Sequence, residues 1–599
     1  MVSDDEMLIP MRRSYSRPRF CDGLLLPFGQ RDLEVINMIR NPNETSAKLD
    51  GHDRWLFCPS IDLLTMGLLL GLFVLIYYFP EVLPGDVVMY LHCGRSLLEG
   101  QIPYVDLIDG NPPAIMYFSV LPAVISSLVG LKITTCYSLV VTIILIWTTV
   151  FMRRLIAGNG SATERIQVSL FLLAWVGASV AAMATYCYGQ RDHLIALVMF
   201  PYLLLRALRE QGQPSVGDVE AGVMGVAAGL ASCFKPQYIV IIASMEMFWA
   251  FKKKPVKIPT APEFLGLATA LVVYHVHFAF VPEEMKMGMV SKMLLMQRRY
   301  DVLMPAGTFD LLKAKAALLP LASLLLVPAV WPGQYGPTSR LTRLIPTLLP
   351  AVTGGLLVYL LSSRGFCYQG LPAITGSLLI ISIFLGYYLV PRLSDMLRSP
   401  LLSKTFPLKS RHTAAVSIAG VSALVGLSFC WIRMDSMILK PSHSMMTERA
   451  IVASIIEHTR PGDQVIILSQ AFPFPWPFFE EINRRPGTRF LHMQWFQLFS
   501  REFEVLSAAY RTGKVQAHTS LHAERFLTEL TEDVYRRKPG LILVDNFDCG
   551  DCHAKINVYD LWRSAASADD CLKGYERLPD VILPNGSMAV FRFKPTTLL

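Results

Sequence analysis

Apolar runs of membrane-spanning length restrict what this chain can fold into more tightly than any other feature. Lipid offers no hydrogen-bond partners, so each run of about 17–25 apolar residues reads as one helical crossing. Such runs lie near 61–79, 113–130, 131–152, 167–187, 193–208, 219–234, 237–251, 263–280, 314–331, 343–361, 370–390 and 413–432. A chain that is 52% hydrophobic and only 17% charged is too apolar for a soluble multidomain protein. After Lys440 the hydropathy falls and charged residues return, marking a tail of ordinary domain size. The pattern predicts a mainly α, polytopic membrane protein of about 11 transmembrane helices with a C-terminal soluble α/β domain. Its expected divisions are an arm at 1–60, a membrane domain at 61–432 and a tail at 433–599.

The formal net charge of +8 is not the footprint of a nucleic-acid partner. Basic residues sit in short loops, as Arg206/Arg209, 252–254, Arg340/Arg343 and 392–411. The positive-inside rule reads those loops as cytoplasmic. The first apolar run begins only at residue 61, so no signal peptide is expected, and the Arg-rich arm stays inside. The tail is then outside. Arg153 and Arg154 fit this scheme only if the runs 113–130 and 131–152 make one net crossing. One of the two is then re-entrant or lies along the interface, which brings twelve runs to eleven crossings.

With that orientation, the polar clusters that topology does not explain fall on the outer face. The loop at 80–112 carries Glu81, Asp86, Glu99, Asp106 and Asp109. Carboxylates gathered at a lipid boundary are costly to keep there and mark a functional site. Val87, Val88, Leu91 and Leu98 recur at helical spacing, with Gly100 as a stop. They predict an amphipathic helix on the membrane surface, with Asp86 and Tyr90 one turn apart. A structural role is also open: Asp after Pro-Gly is a natural N-cap, and Asp109-Gly110 with Asn111-Pro112-Pro113 forms turns. Gln190-Arg191-Asp192-His193 is a polar knot between two spans, where an Arg beside an Asp can simply neutralise it. Lys235-Pro236 ends a span abruptly, and its Lys can merely snorkel. Yet Arg191, Lys235 and Arg364 stand on the wrong side for topology signals. Opposite carboxylates, such cations suit an anionic group such as a phosphate.

The tail reads as a helix at 446–458, a turn at Pro461-Gly462-Asp463, and a strand at 464–469. A helix at Leu521–Arg537 and strands at Leu541–Asp545 and 588–593 complete it. Cys549, Cys552 and His553 match a haem c attachment pattern, in competition with a Cys549–Cys552 or Cys571 disulfide. Trp476, Phe478 and Trp495 suit either an aromatic surface for a sugar or lipid, or a core. No P-loop, H-E-x-x-H or serine elbow is present.

From Gly85 to Pro113 the order is Gly-Asp, Tyr90, Leu97-Leu98-Glu99-Gly100, Pro103-Tyr104, Asp106, then Asp109-Gly110-Asn111-Pro112-Pro113. This resembles the first external loop of GT-C glycosyltransferases, among bacterial relatives of the protein mannosyltransferase and aminoarabinose transferase families. The resemblance implies inverting transfer of a hexosyl or pentosyl group from a polyprenyl-phosphate donor. The acceptor is an envelope glycan, lipid or protein hydroxyl, on the extracytoplasmic face of the bacterial inner membrane. By that likeness Asp86 is the general base, and Lys235 and Arg191, with Arg364 behind, hold the donor phosphate. Tyr90, Asp106, Asp109, Asn111, Gln190 and His193 order the loop or orient the acceptor, and Asp106 and Asp109 are alternative ligands for a divalent ion. The chain departs from the mannosyltransferases in having Gly85-Asp86 where they have adjacent Asp-Glu. Two rival classes are a lipid-sugar transporter or flippase, for which His275, His277 and Glu246 lie within apolar runs, and a non-catalytic envelope scaffold.

Overall fold

A computed structural model describes residues 83–398 and 443–594, with a few positions between 65 and 74. Within those ranges, 157–161, 185–186, 213–215, 253–259, 297, 299–314, 331–340, 363–365, 470–475, 477, 492–493, 513–520, 547–556, 565–567 and 584–585 are not described. Most of the expected span at 61–79, the span at 413–432, Arg364, and the haem pattern Cys549/Cys552/His553 therefore lie outside the described residues.

The chain is mainly helical. Helix α1 (Gly85–Leu98) starts after Pro84 with Asp86 in its first turn, where a carboxylate favours the positive end of the helix dipole. It stops at Gly100, whose φ of +84° suits glycine. It does not lie open on a membrane surface as its spacing predicted. Val87, Val88, Met89, Tyr90, Leu91, Cys93, Gly94 and Ser96 are all buried, because bundle and tail close over it together.

Behind it come α2 (Ala114–Val129), α3 (Ile133–Ile156), α4 (Ala162–Ala184), α5 (Arg191–Glu210), α6 (Asp218–Phe234) and α7 (Ile239–Lys252). Then follow α8 (Pro262–Val276), α9 (Glu283–Gly288), α10 (Lys315–Val330), α11 (Ile345–Leu361) and α12 (Leu371–Arg398). Three described helices are long and apolar enough to span by themselves: Ile133–Ile156, Thr342–Leu361 and Tyr368–Tyr387. A fourth arises if Pro262–Ala279 and Glu283–Met296, bent by 110° at Pro282, count as one. The full expected set of eleven is thus not reached among the described residues. Their outward faces remain apolar, as at Ile143, Val223, Val273, Leu325 and Leu361. Apolar surface spread so widely belongs against lipid, and the chain is a membrane protein.

Helix α5 is buried almost throughout and carries charge at both ends. Arg191 and Arg206 stand fifteen residues apart, about 22 Å along the axis. Arg206, 1% exposed, donates to Glu246 at 2.9 and 3.0 Å, to Glu210 at 3.2 Å and to Glu263 at 3.4 Å. Glu246, the intraspan acid a transporter would need, is therefore the partner of a buried arginine. Arg154, at the far end of α3, pairs with Glu220 of α6 at 3.1 Å. Helices α6 and α8 meet so closely that a Cβ on Gly266 would lie 2.2 Å from the Gly222 carbonyl. Small residues at membrane helix interfaces permit such contact.

The described tail elements run from α13 (His443–His458) to a five-stranded sheet of order β2-β1-β3-β5-β4. Strands β1 (Gln464–Leu468), β2 (Arg485–Pro486) and β3 (Leu541–Asp545) are parallel. Strands β4 (Tyr575–Leu583) and β5 (Gly586–Phe593) add an antiparallel hairpin. Helix α14 (Leu521–Arg537) covers one face, where Phe490, Trp495, Phe496, Phe503 and Phe526 pack together. Trp476 and Trp495 are core residues, 4% and 3% exposed, rather than an aromatic surface. Ile108 of the acidic loop and Met296, beyond α9, are buried in this same core.

Candidate active site

The site is built from two turns that reach α1. The turn at 187–190 precedes α5. Gly189 has φ +71°, its carbonyl accepts from the Tyr137 hydroxyl, and its N–H donates to His193 Nδ1 at 3.0 Å. His193 Nε2 in turn meets Ser179 Oγ at 3.1 Å. His193 thus holds the turn that presents Gln190 and Arg191, and both of its ring nitrogens are engaged.

Arg191 opens α5 in a buried position, 5% exposed. Its guanidinium carbon sits 5.2 Å from the centre of the Tyr90 ring. Among the described residues its Nη1 has no hydrogen-bond partner. A buried guanidinium nitrogen left so is costly and suits an anion arriving at the site. The adjacent Asp192 does not serve it as a hydrogen-bond partner. Asp192, 0% exposed, accepts from Lys235 Nζ at 2.6 Å and from the Tyr238 hydroxyl. That hydroxyl is also 2.9 Å from the Gln369 carbonyl, and Lys235 lies 4.8 Å over the Tyr368 ring.

The second turn follows α1. Asp109, 1% exposed, accepts from the Tyr90 hydroxyl at 2.9 Å and from Asn111 Nδ2 at 3.1 Å. Burial, with Asp109 and Asp86 nearby, pushes the Tyr90 phenol well above its ordinary range, while Arg191 opposes them. The phenol therefore stays protonated and remains a donor. Asp106 faces elsewhere: it accepts from the Ile102 N–H at 3.0 Å and lies 3.9 Å from Arg536. Tyr104, between these acids, holds φ +63° and bonds the Asn111 carbonyl, a strained conformation for a non-glycine residue.

Between the turns lies a small cleft lined by Asp86, Tyr90, Tyr137, Ser119, Gln190 and Arg191, with Val87, Ile115 and Gly189. Four expected site residues, Asp86, Tyr90, Gln190 and Arg191, thus line one cleft. Asp109 and Asn111 support it from behind Tyr90, and His193 from behind Gly189. Lys235 joins through Asp192 rather than by lining the cleft, and Asp106 points toward the tail. Among the described residues no group of three His, Cys, Asp or Glu side chains could hold a metal ion. Tyr137, Ser119 and Tyr238 escape sequence reasoning, because lone hydroxyls inside apolar runs look like any other helix residue.

No family model matches the chain, and no curated protein matches it in sequence. Solved structures do. One is ArnT from Cupriavidus metallidurans bound to undecaprenyl phosphate, with TM-score 0.50 and 13% identity. That likeness covers 90% of this chain and 99% of that one. Another is the arabinofuranosyltransferase AftD from Mycobacteria, with TM-score 0.38 and 11% identity over 79% of this chain and 35% of that one. The fold of the chain is the GT-C fold that its acidic loop resembles.

Proposed function

We propose, from a fold shared with a transferase solved on a lipid phosphate, that this chain moves a sugar from a polyprenyl-phosphate donor to an acceptor hydroxyl. The observation that carries the reading is the meeting of Asp86 and Arg191, distant in sequence, in one cleft. An acceptor hydroxyl enters beside Asp86, which takes its proton as the oxygen attacks the anomeric carbon. The lipid phosphate leaves from the opposite face of the sugar, so configuration inverts. The charge developing on the phosphate falls to Arg191, whose Nη1 has no hydrogen-bond partner among the described residues. Lys235 holds Asp192, so that carboxylate does not compete for the guanidinium.

The cleft faces the outside in this reading, with the arm and the Arg154, Arg206 and Arg209 end in the cytoplasm. Two contacts support one net crossing for 113–152: Tyr137, near the start of α3, lines the cleft, while Arg154 at its far end pairs with Glu220. Helix α2 also lines the cleft, through Ile115 and Ser119. The acceptor is an envelope glycan, lipid or protein, and the membrane is the bacterial inner membrane.

The test is Asp86→Asn in the full chain, expressed in cells that lack it, with envelope glycans and lipids weighed by mass spectrometry. Loss of a positioned base lowers transfer by about 10²–10⁴-fold, so the sugar increment restored by the parent chain disappears at equal protein level. An unchanged increment refutes the assignment.

A further inference from the structure

Helix α1 is gripped from two sides by carbonyl groups, one closing off any side chain and the other leaving only a tight fit. A Cβ on Gly94 would lie 2.2 Å from the Ser119 carbonyl oxygen of the bundle, and one on Gly85 would lie 3.1 Å from the Trp476 carbonyl oxygen of the tail. Nine residues at about 100° each set these two glycines on opposite faces of the helix. The tail side continues along α1. The His92 and Trp476 rings lie 5.3 Å apart, and Arg95 donates to both oxygens of Glu480 at 2.8 and 3.2 Å. Glu99 accepts from Arg485 at 2.9 Å. Farther along the loop, Ile108 N–H donates to the Arg489 carbonyl at 2.7 Å, and Arg537 donates to the Asp106 carbonyl at 3.3 Å.

We propose that the tail is a clamp that positions Asp86: Trp476 packs against the amino end of α1 while Glu480 and Arg485 pin its carboxyl half, and together they set the reach of the Asp86 carboxylate into the cleft. Trp476 is a positioning residue, touching the backbone beside Asp86 rather than the cleft. A side chain at 85 would press against the Trp476 carbonyl, so the contact favours glycine before Asp86.

The catalytic half of this inference rests on the transferase reading; the mechanical half does not, and one experiment separates them. Full-length protein in lipid nanodiscs carries Glu480→Arg, Arg95→Glu, the double swap, or Gly85→Ala. Three quantities are measured: amide hydrogen exchange across 85–98, binding of undecaprenyl phosphate, and the sugar increment in complemented cells. Glu480→Arg and Gly85→Ala are expected to speed exchange and to cut the increment by about tenfold or more, with lipid-phosphate affinity within about twofold, because small misplacement of a reacting group costs rate. The swap restores Arg–Glu pairing and recovers both. Unchanged exchange in Glu480→Arg and Gly85→Ala overturns the clamp, and faster exchange with an unaltered increment overturns its role in positioning. If Glu480→Arg fails to fold, Gly85→Ala and the swap decide the same question. Should the parent chain add no sugar, the transferase reading falls while exchange still decides the clamp.

Discussion

Arg191 is a buried cation and His92 a half-buried potential one, and their surroundings give them opposite fates. Arg191 keeps its charge among Tyr90, Asp86 and Asp109, and among the described residues its Nη1 has no hydrogen-bond partner. Arg191→Ala is expected to lower transfer by about 10²–10³-fold, the usual cost of removing one preorganised donor from a developing oxyanion. Arg191→Lys recovers only part of it, since an ammonium lacks the planar fork. Transfer by Arg191→Ala equal to the parent chain would move the phosphate site elsewhere. His92 is pushed down from 6.5 to about 3 by burial first, then by Arg95 on its own helix and Arg485 and Arg537 on the tail. The unfolded chain binds that proton below about pH 6.5 and the folded chain does not. Stability from a neutral His92 is therefore complete above that range and drains away as the solution is acidified. From about pH 7.5 to about pH 5.5 the linkage amounts to about 1.4 kcal/mol. His92→Gln should narrow the gap between melting temperatures at those two pH values, and an unaltered gap would show that His92 protonates freely in the folded chain.

At the scale of helices, sequence reasoning located segments well and neighbours poorly. The helix Leu521–Arg537 and the strand Leu541–Asp545 match expectation residue for residue, because strong period-3.6 and buried-run patterns are local properties. Strand β4 escaped because Pro579 and a register shift between Leu578 and Val581 break its alternation. The acids of the loop were legible as a cluster, yet the spacing that predicted a surface helix could not register what covers it. Its cover arrives from a residue 385 positions away, Glu480. Pairing of Asp192 with Lys235, rather than with its neighbour Arg191, is likewise a tertiary choice. Arg206 is the clearest case, since the residue that reads as a loop topology signal lies buried inside α5 and is an internal rivet joining α5, α7 and α8. Breaking a buried ion pair from one side leaves uncompensated charge, so Arg206→Ala should cost about 3–5 kcal/mol. Thermal unfolding of the full chain measures it, and a loss below about 1 kcal/mol, the worth of an exposed pair, would mean that water reaches the cluster.

For the whole molecule, the two charged ends of α5 define its orientation in the bilayer. At one end Arg191 meets the acidic loop and, through α1, the tail; at the other Arg206 and Arg209 meet Glu263, and Arg154 meets Glu220. A carrier lipid spans a leaflet and delivers its phosphate at one surface, so base, cation and tail must share that surface. Sidedness can be read without any substrate. Asp218 is 80% exposed beside Arg209, and Lys573 is 77% exposed on the tail. Single cysteines placed at 218 and at 573, in a chain whose other reactive cysteines are replaced, face opposite compartments if α5 crosses the bilayer. In intact cells a membrane-impermeant maleimide should label position 573 and spare 218, with 218 labelled only after permeabilisation. Labelling of both from outside would put the two ends of α5 on one side, and no arrangement of Asp86 and Arg191 could then serve a lipid-borne donor across the outer leaflet. Labelling of 218 alone would invert the protein, turning the cleft and its acids toward the cytoplasm and the basic loops outward, against the positive-inside bias.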